Sequence, residues 1–524
     1  MAVTDVSRPD ELDEVWEDAP GVPGFFSTVD HKRIGMRYIY TAFFFFFTSG
    51  LMALVMRQQL STPDNHLIGP QTYNQLLTMH GTTMIFLFNT PVLAGFGNYI
   101  LPLQLGTRDM AFPRLNAFSY WIFVLSGVFF YASFLIGKPP DGGWFAYVPL
   151  TDRAFSPGVN LDFWGLAVVF VGISTTVGAI NFIVTAFKMR APGMTINRVP
   201  IFVWSILSMA FFSAVSLIIV LLSGVQFFAW IATMWKGRVH FHTPMLFGLG
   251  FLLIFLLGGI TGGSLAVLPF DWQVHDSYYV VAHFHYVLNG AVVFPIFGAI
   301  YFWYPKMSGR LLSERWGRIS FWTMFIGFNM AFFGMHILGF LGMPRRIYTY
   351  PSGLGWDGLN LISTIGGLVF AVGTGITLVN WFHARWWGKR AGPNPWDADS
   401  LEWATSSPPP EYNFASIPVV ASRHPLWEQR PLPVARSNGD EASKSLGPEG
   451  ALHHETPETT GLDARPQGTL DLPHPTYLPF ILACGLGVFF VGLLIKAALV
   501  GVIGVAFAVV GLTWWAWRTE VDLA

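Results

Sequence analysis

Charge is what this chain of 524 residues lacks most. Only 12% of its residues are Asp, Glu, Lys or Arg, against 52% hydrophobic ones, whereas a soluble domain carries roughly 25% charged residues. The deficit excludes a soluble globular domain and puts the chain in a membrane. Cysteine is nearly absent as well. The single thiol, Cys484, sits in an apolar run, which rules out a disulfide framework and a thiolate metal site. No basic block interrupts the sequence and the formal net charge is −1, so nothing points to nucleic acid as a partner. No short apolar region with a small-residue cleavage site precedes the first long run, and no signal peptide is expected. Repeats of solenoid period are missing too.

Long apolar runs are what the sequence has in quantity. They fall near 36–57, 75–101, 115–137, 160–187, 200–235, 242–268, 277–303, 319–342, 359–385, 476–497 and 499–518, and each suits a helix of roughly 20 residues or more. They predict an all-α fold, a polytopic transmembrane helical bundle of about eleven segments. A polar segment, 1–35, precedes a membrane core, 36–387. Residues 388–474 contain GPNPW, SSPPPEYNF and SNGDEASKSLGPEG. That composition predicts an extramembrane linker, partly disordered. Residues 475–524 then form a C-terminal transmembrane hairpin.

Ring nitrogens are costly in hydrocarbon, so the stretch VVAHFHYVLNG, residues 280–290, demands partners for His283 and His285. Two positions apart on a helix is about 200° of rotation, so the rings leave on nearly opposite faces. One metal ion does not easily take both, whereas two flat cofactors on either side of the helix would take one each. Haem suits this, since histidine is a common axial ligand. Histidines bonded to neighbouring carbonyls, or relaying protons, are the alternatives.

A bis-histidine iron needs a third imidazole, and TMHGTTMIFLF offers His80, beside Gly81, which lets a large ring approach the backbone. His240 and His242 in RVHFHTPMLF sit next to Lys236 and Arg238 at the mouth of a span. His336 in GMHILGFLGMPRR reads as a satisfied packing residue, and the adjacent His453 and His454 read as solvated linker residues. Arg345 and Arg346 end a span, where paired guanidinium groups suit either haem propionates or lipid headgroups.

Several stretches together resemble subunit I of the haem–copper oxidases, in the cytochrome c oxidase branch. They are STVDHKRIGMRY, TMHGTTMIFLFNTPVLAGFGNYILPLQLGTRDMAFPRLNAFSYW, VGAINFIVTAFKMRAPGMT, FFAWIATMWKGRVHFHTPMLF, HDSYYVVAHFHYVL, GMPRRIYTYP and NPWDADSLEWATSSPPPEYNF. The resemblance covers residues 25–425, and the last two spans resemble, more weakly, a C-terminal extension of some bacterial subunits I. It implies two haems: His80 and His285 would be the axial pair of the low-spin haem, and His283 the proximal ligand of the high-spin, catalytic haem. By the same resemblance, His275 and Asp276 match a magnesium or manganese site completed by a carboxylate of subunit II. Arg345 and Arg346 match the propionate-binding pair, and Arg57 an arginine near the low-spin haem's substituent. Asp109 and Asn116 match the mouth of the D proton channel.

The implied partners are subunits II and III, cytochrome c or a similar electron donor, and membrane lipid, in a bacterial plasma membrane. The implied activity passes electrons through subunit II's copper to the low-spin and then the high-spin haem, reducing oxygen to water with proton pumping.

Some of the family's parts are missing. The copper opposite the high-spin haem, copper B, is held by three histidines, one in a His-Pro-Glu-Val-Tyr motif and two adjacent in a later helix; neither motif occurs in this sequence. The glutamate at the inner end of the D channel is also absent. In LSGVQFFAWIATMW, Gln226 stands where the K channel has its lysine; an amide hydrogen-bonds but carries no ammonium proton.

Lys188, Arg190 and Arg198 before the 200–235 run, and Lys236 and Arg238 after it, ask both of its ends to be cytoplasmic. Two crossings need roughly 40 residues plus a turn, yet one helix of this length would extend about 54 Å against a hydrocarbon core of roughly 30 Å. The run reads as the start of one family helix joined, between about Leu217 and Ile218, to the end of a later one. On this reading a segment on the order of a hundred residues, several spans' worth, is absent. A deletion, a faulty gene model and a natural paralogue without the segment would all look alike. A non-catalytic haem protein and a transporter with histidine relays stay open beside the oxidase reading.

Overall fold

The computed structural model describes residues 9–149, 151–212, 230–235, 237, 239–435 and 444–521. Among them, nine helices are long and apolar enough to cross a membrane. A short helix, α1 (Pro9–Trp16), and a second, α2 (Gly21–Ser27), precede the first span, α3 (His31–Gln59). Asp30 starts α3 by accepting hydrogen bonds from the free amides of Lys32 and Arg33. The next span joins α4 (Pro70–Thr82) to α5 (Thr90–Leu105) through a π-helical turn, Thr83–Asn89. It stops at Gly106, whose φ of 74° supplies the left-handed cap.

Next come α6 (Pro113–Leu135), α7 (Asn160–Lys188) and α8 (Ile201–Phe212), then α9 (Thr243–Leu265) and the short α10 (Leu268–Val274). A second π-turn, Asn289–Val293, joins α11 (Tyr278–Leu288) to α12 (Phe294–Ser308). The spans α13 (Glu314–Phe340) and α14 (Asp357–Trp387) complete the core, and α15 (Leu478–Leu494) and α16 (Ala498–Val521) form the C-terminal pair. Leu217, Ile218, Gln226, Lys236 and Arg238, on which the sequence placed the junction and its topology, lie outside the described residues.

Lipid offers no hydrophobic drive between helices, so close backbone approach must hold them. A Cβ built on Gly366 would stand 2.3 Å from the Ala331 amide, and one on Gly327 2.4 Å from that of Phe370, so α13 and α14 touch main chain to main chain. The C-terminal hairpin repeats the device, since a Cβ on Gly504 would be 2.2 Å from the Phe489 amide. It docks on α6, where the rings of Phe480 and Trp121 are 4.7 Å apart.

The described parts of the linker correct the expectation of a loose segment. A two-stranded antiparallel hairpin, β1 (Glu455–Thr459) with β2 (Pro466–Asp471), is a small exception to the all-α reading. The linker folds onto the core as a cap pinned by buried cations. Arg108, fully buried, donates to the carbonyls of Phe414, Ala415, Ser445, Gly447 and Glu455 at 2.5–3.0 Å. That satisfies all five N–H groups of a guanidinium. Burial lowers its pKa to about 9, against a smaller opposing pull from Glu455, so it remains a cation at neutral pH.

Lys306, also fully buried, donates to the carbonyls of Pro393, Thr405 and Ser406, and Arg190 to those of Thr460 and Gly461. His454 is not the solvated residue the sequence suggested: it is buried, stacked 4.0 Å from the Trp16 ring of α1 and bonded to the Val15 carbonyl. The end of the cap returns to the start of the core, where the Thr476 amide donates to the Ser27 carbonyl at 2.7 Å.

Candidate functional site

His283 and His285 leave α11 towards different neighbours, as their spacing predicts. His283 faces α9: its Nδ1 lies 3.1 Å from the Gly258 carbonyl and 3.2 Å from the Thr261 hydroxyl. Gly262 makes room for it, since a Cβ there would sit 2.6 Å from the ring. His285 faces α13 and stacks on Phe332 with ring centroids 4.2 Å apart. Its Nδ1 is 2.7 Å from the Val281 carbonyl, one turn back. His80 is near enough to His285 for the two to interact electrostatically. Its Nδ1 is 3.0 Å from the Ser49 carbonyl and 3.1 Å from the Ser49 hydroxyl, which also donates to the His80 carbonyl.

The three imidazoles share one property. Each has Nδ1 committed to an acceptor, which fixes the tautomer and leaves Nε2 to a metal. Two irons on opposite sides of α11 fit this donor set. The sequence did not signal that the ligand helices become π-helical three residues after His80 and four after His285, a distortion that recurs at functional sites.

Arg57 is near enough to His285 to interact with it electrostatically, whereas Arg345 and Arg346 sit beside Asp276, just before α11. Arg57 of α3 reaches α14, donating to the Asn360 carbonyl at 2.9 Å, and its buried Nε has no protein partner. Arg345 pairs with Asp276. Arg346 lies 4.2 Å over the Phe145 ring, with a buried Nη2 that makes no hydrogen bond and stands 3.9 Å from the Asp276 carboxylate. Such orphaned donors suit an anionic or carbonyl group of a bound cofactor.

Burial pushes the Asp276 carboxyl up, but the hydrogen bond and charge of Arg345, with Arg346 and His275, hold it below its usual range. His275 is 3.3 Å from Asp271. Among the described residues no three His, Cys, Asp or Glu side chains gather to hold a metal, so His275 and Asp276 supply at most part of a coordination shell. All fourteen histidines fall within the described residues, and they do not supply a three-histidine site either. His336 is only half satisfied, which corrects the packing reading. Its Nδ1 meets the Phe333 carbonyl at 3.2 Å, while Nε2 is buried without a partner. His240 and His242 lie at the exposed mouth of α9, as expected, 3.8 Å from Glu314 in the case of His242.

Asp109, a loop residue that would ordinarily be solvated, is 4% exposed. Burial first, and then the neighbouring charge of Asp30, push its carboxyl well above the usual range. Asn116 is 1% exposed with an unpartnered Nδ2. Beyond it runs a chain of hydroxyls that the sequence did not single out. Ser119 donates to the Asn116 carbonyl at 2.8 Å, Tyr38 is 3.0 Å from Ser119, and Ser174 is 3.3 Å from Tyr38.

The family "Cytochrome C and Quinol oxidase polypeptide I" matches residues 33–212 and 207–369, in two pieces that overlap at 207–212, within the 200–235 run. The "Probable cytochrome c oxidase subunit 1-beta" of Nocardia farcinica is 39% identical over 512 aligned residues, covering 77% of this chain and 87% of its own. Since 77% of 524 residues is about 403, about 109 aligned positions are filled by the relative alone.

"Cytochrome c oxidase subunit 1" of Bacillus sp. PS3 is 35% identical, with 88% of this chain and 89% of that one covered. A solved haem–copper terminal oxidase dimer aligns at a TM-score of 0.47 and 15% identity over 69% of this chain and 85% of that one, too remote to add to the assignment. The chain therefore belongs to the cytochrome c and quinol oxidase polypeptide I family, as a subunit I-type oxidoreductase that crosses a bacterial plasma membrane many times.

Proposed function

We propose that this subunit binds a low-spin haem between His80 and His285 and a high-spin haem at His283, the catalytic ligand, and moves electrons from the first to the second. What carries the reading is the common state of the three imidazoles, each held through Nδ1 with Nε2 presented. When bound, the haems supply the one-electron carriers between donor and oxygen. The protein's part is to hold Nε2 in place and to separate the two sites by one helix. Arg345, Arg346 and Arg57 bring positive charge to the cofactor's polar edges. His275 and Asp276 offer two donors to a magnesium or manganese ion that a partner subunit's carboxylate would complete. Subunits II and III and a cytochrome c-type donor are the partners this arrangement calls for.

Asp109 takes protons from the cytoplasmic side and passes them towards Asn116 and the hydroxyls of Ser119, Tyr38 and Ser174. Its raised proton affinity supports that role, since a group that holds its proton near neutral pH can both accept and release it. Neither copper B motif occurs in this sequence. The split family match and the unfilled alignment positions support an internal gap as the cause.

The test is spectroscopic. His80→Ala or His285→Ala is expected to abolish the low-spin haem signal, because a bis-histidine iron loses an axial bond, while His283→Ala disturbs the high-spin haem alone. Survival of either signal unchanged would remove that histidine from its role. Asp109→Asn is expected to slow the proton uptake that accompanies haem reduction, followed with a pH-sensitive dye.

A further inference from the structure

Asp109 follows the most thoroughly bonded cation in the chain, yet the two opposite charges do not pair. Every donor of Arg108 goes instead to a carbonyl of the cap, at Phe414, Ala415, Ser445, Gly447 and Glu455. A guanidinium paired with Asp109 would favour its ionised form and weaken its hold on a proton. Directing the guanidinium away leaves the carboxyl under the charges of Asp30 and Asp18, which favour its protonated form, against the smaller opposing charge of Lys32.

The loop that carries both residues, 106–112, is clasped from the cap side at more than one point. Asn413 donates to the carbonyls of Thr107 and Arg108 at 3.1 and 2.8 Å. The hydroxyls of Thr107 and Thr456 are 3.1 Å apart. Outside this layer α1 closes down: Leu12 is fully buried against Tyr412, Ala415 and Ala451, and the Trp16 indole donates to the Ala451 carbonyl at 2.7 Å.

We infer that Arg108 is a positioning residue for Asp109 and the latch of a lid, holding the described parts of residues 389–475 over the Asp109 loop so that the carboxyl is kept from bulk water. The inference takes its meaning from the proton-entry reading of Asp109, though its geometry stands without it. The extramembrane cap, rather than the membrane core, then governs how readily water reaches the first carboxyl of the path.

Labelling of carboxyls in the full chain tests it. A water-soluble carbodiimide with glycinamide is applied to the purified protein, and modification is quantified by mass spectrometry. Asp397, whose side chain is 81% exposed, serves as the internal reference. The unmodified chain is expected to label at Asp109 at least about tenfold more slowly than at Asp397, because reaction must await local opening. Arg108→Ala should raise Asp109 labelling about tenfold with Asp397 unchanged. Arg108→Lys should fall between, since three donors cannot serve five carbonyls.

If Arg108→Ala fails to fold, judged by loss of the low-spin haem absorbance, Asn413→Ala removes the other clasp and is expected to raise labelling likewise. Asp109 reacting as fast as Asp397 in the unmodified chain would overturn the lid. So would unchanged labelling in the folded variants. Unchanged haem-linked proton uptake in Asp109→Asn would instead overturn the proton-entry reading and leave the lid standing.

Discussion

Ser49 lies fully buried behind His80, where its hydroxyl and carbonyl both meet the imidazole. A hydrogen bond of this kind contributes about 0.5–1.5 kcal/mol, enough to tune a ligand without deciding whether it binds. Ser49→Ala is therefore expected to retain the low-spin haem but shift its absorbance band and midpoint potential, as a redox titration would read. A potential equal to that of the unmodified protein would assign the orientation of His80 to the carbonyl alone. The three histidines could be picked out from sequence because imidazoles in apolar runs need partners. The partners of their Nδ1 atoms could not, because all three are main-chain carbonyls, joined at His283 and His80 by hydroxyls from other helices. His336 and His454 were misread for a related reason, since burial and an unpaired nitrogen depend on which rings fold against them.

At the scale of elements, the spans were legible wherever an apolar run had the length of a bilayer, and the described helices follow those runs. The π-turns and the glycine contacts carry no such periodic mark. Gly366 meets the backbone of α13 directly, so Gly366→Val must push two helices apart. Overpacking of this sort costs about 1–3 kcal/mol, and a lower thermal midpoint is expected, together with weaker low-spin haem retention through the Arg57–Asn360 bond between α3 and α14. An unaltered midpoint would mean the helices can slide to accommodate the side chain.

The seal between α1 and the cap should respond to acid. Burial above all lowers the His454 pKa from 6.5 to about 4, with the Val15 bond opposing and His474 adding to the fall. A base with a depressed folded pKa leaves the unfolded form richer in protons between those values. Its contribution is therefore present above pH 6.5 and lost as pH falls towards 4. Hydrogen exchange of residues 9–16 is expected to accelerate over that window, and His454→Phe should flatten the response.

For the whole molecule the family was legible in the sequence, because the oxidase-like stretches are long and distinctive. What could not be foreseen was the cap. Its Pro-, Ser- and Gly-rich composition reads as loose, yet buried arginines and lysines distant in sequence fold it down. The absence of the family's copper motifs from the sequence has a consequence for activity. The chain purified with its partner subunits is expected to bind two haems and no copper B, and to show negligible cytochrome c oxidase turnover. Restoring the family's segment near Leu217 should return copper to the elemental analysis. Vigorous oxygen consumption with copper bound by the unmodified chain would refute this account.

The carbonyls that receive the Arg108 guanidinium also impose an order on biosynthesis. Arg108 and Glu455 are 347 residues apart. At about 5–20 residues per second, Arg108 leaves the ribosome on the order of 20–70 s before its last acceptor is made. Until Phe414, the first acceptor, is made 306 residues downstream, the guanidinium must stay hydrated, since no carbonyl of the cap yet exists to replace its water. The loop is thus made early yet among the last parts of that surface to settle, and a nascent chain stalled before the cap would carry an unquenched cation at a half-built surface.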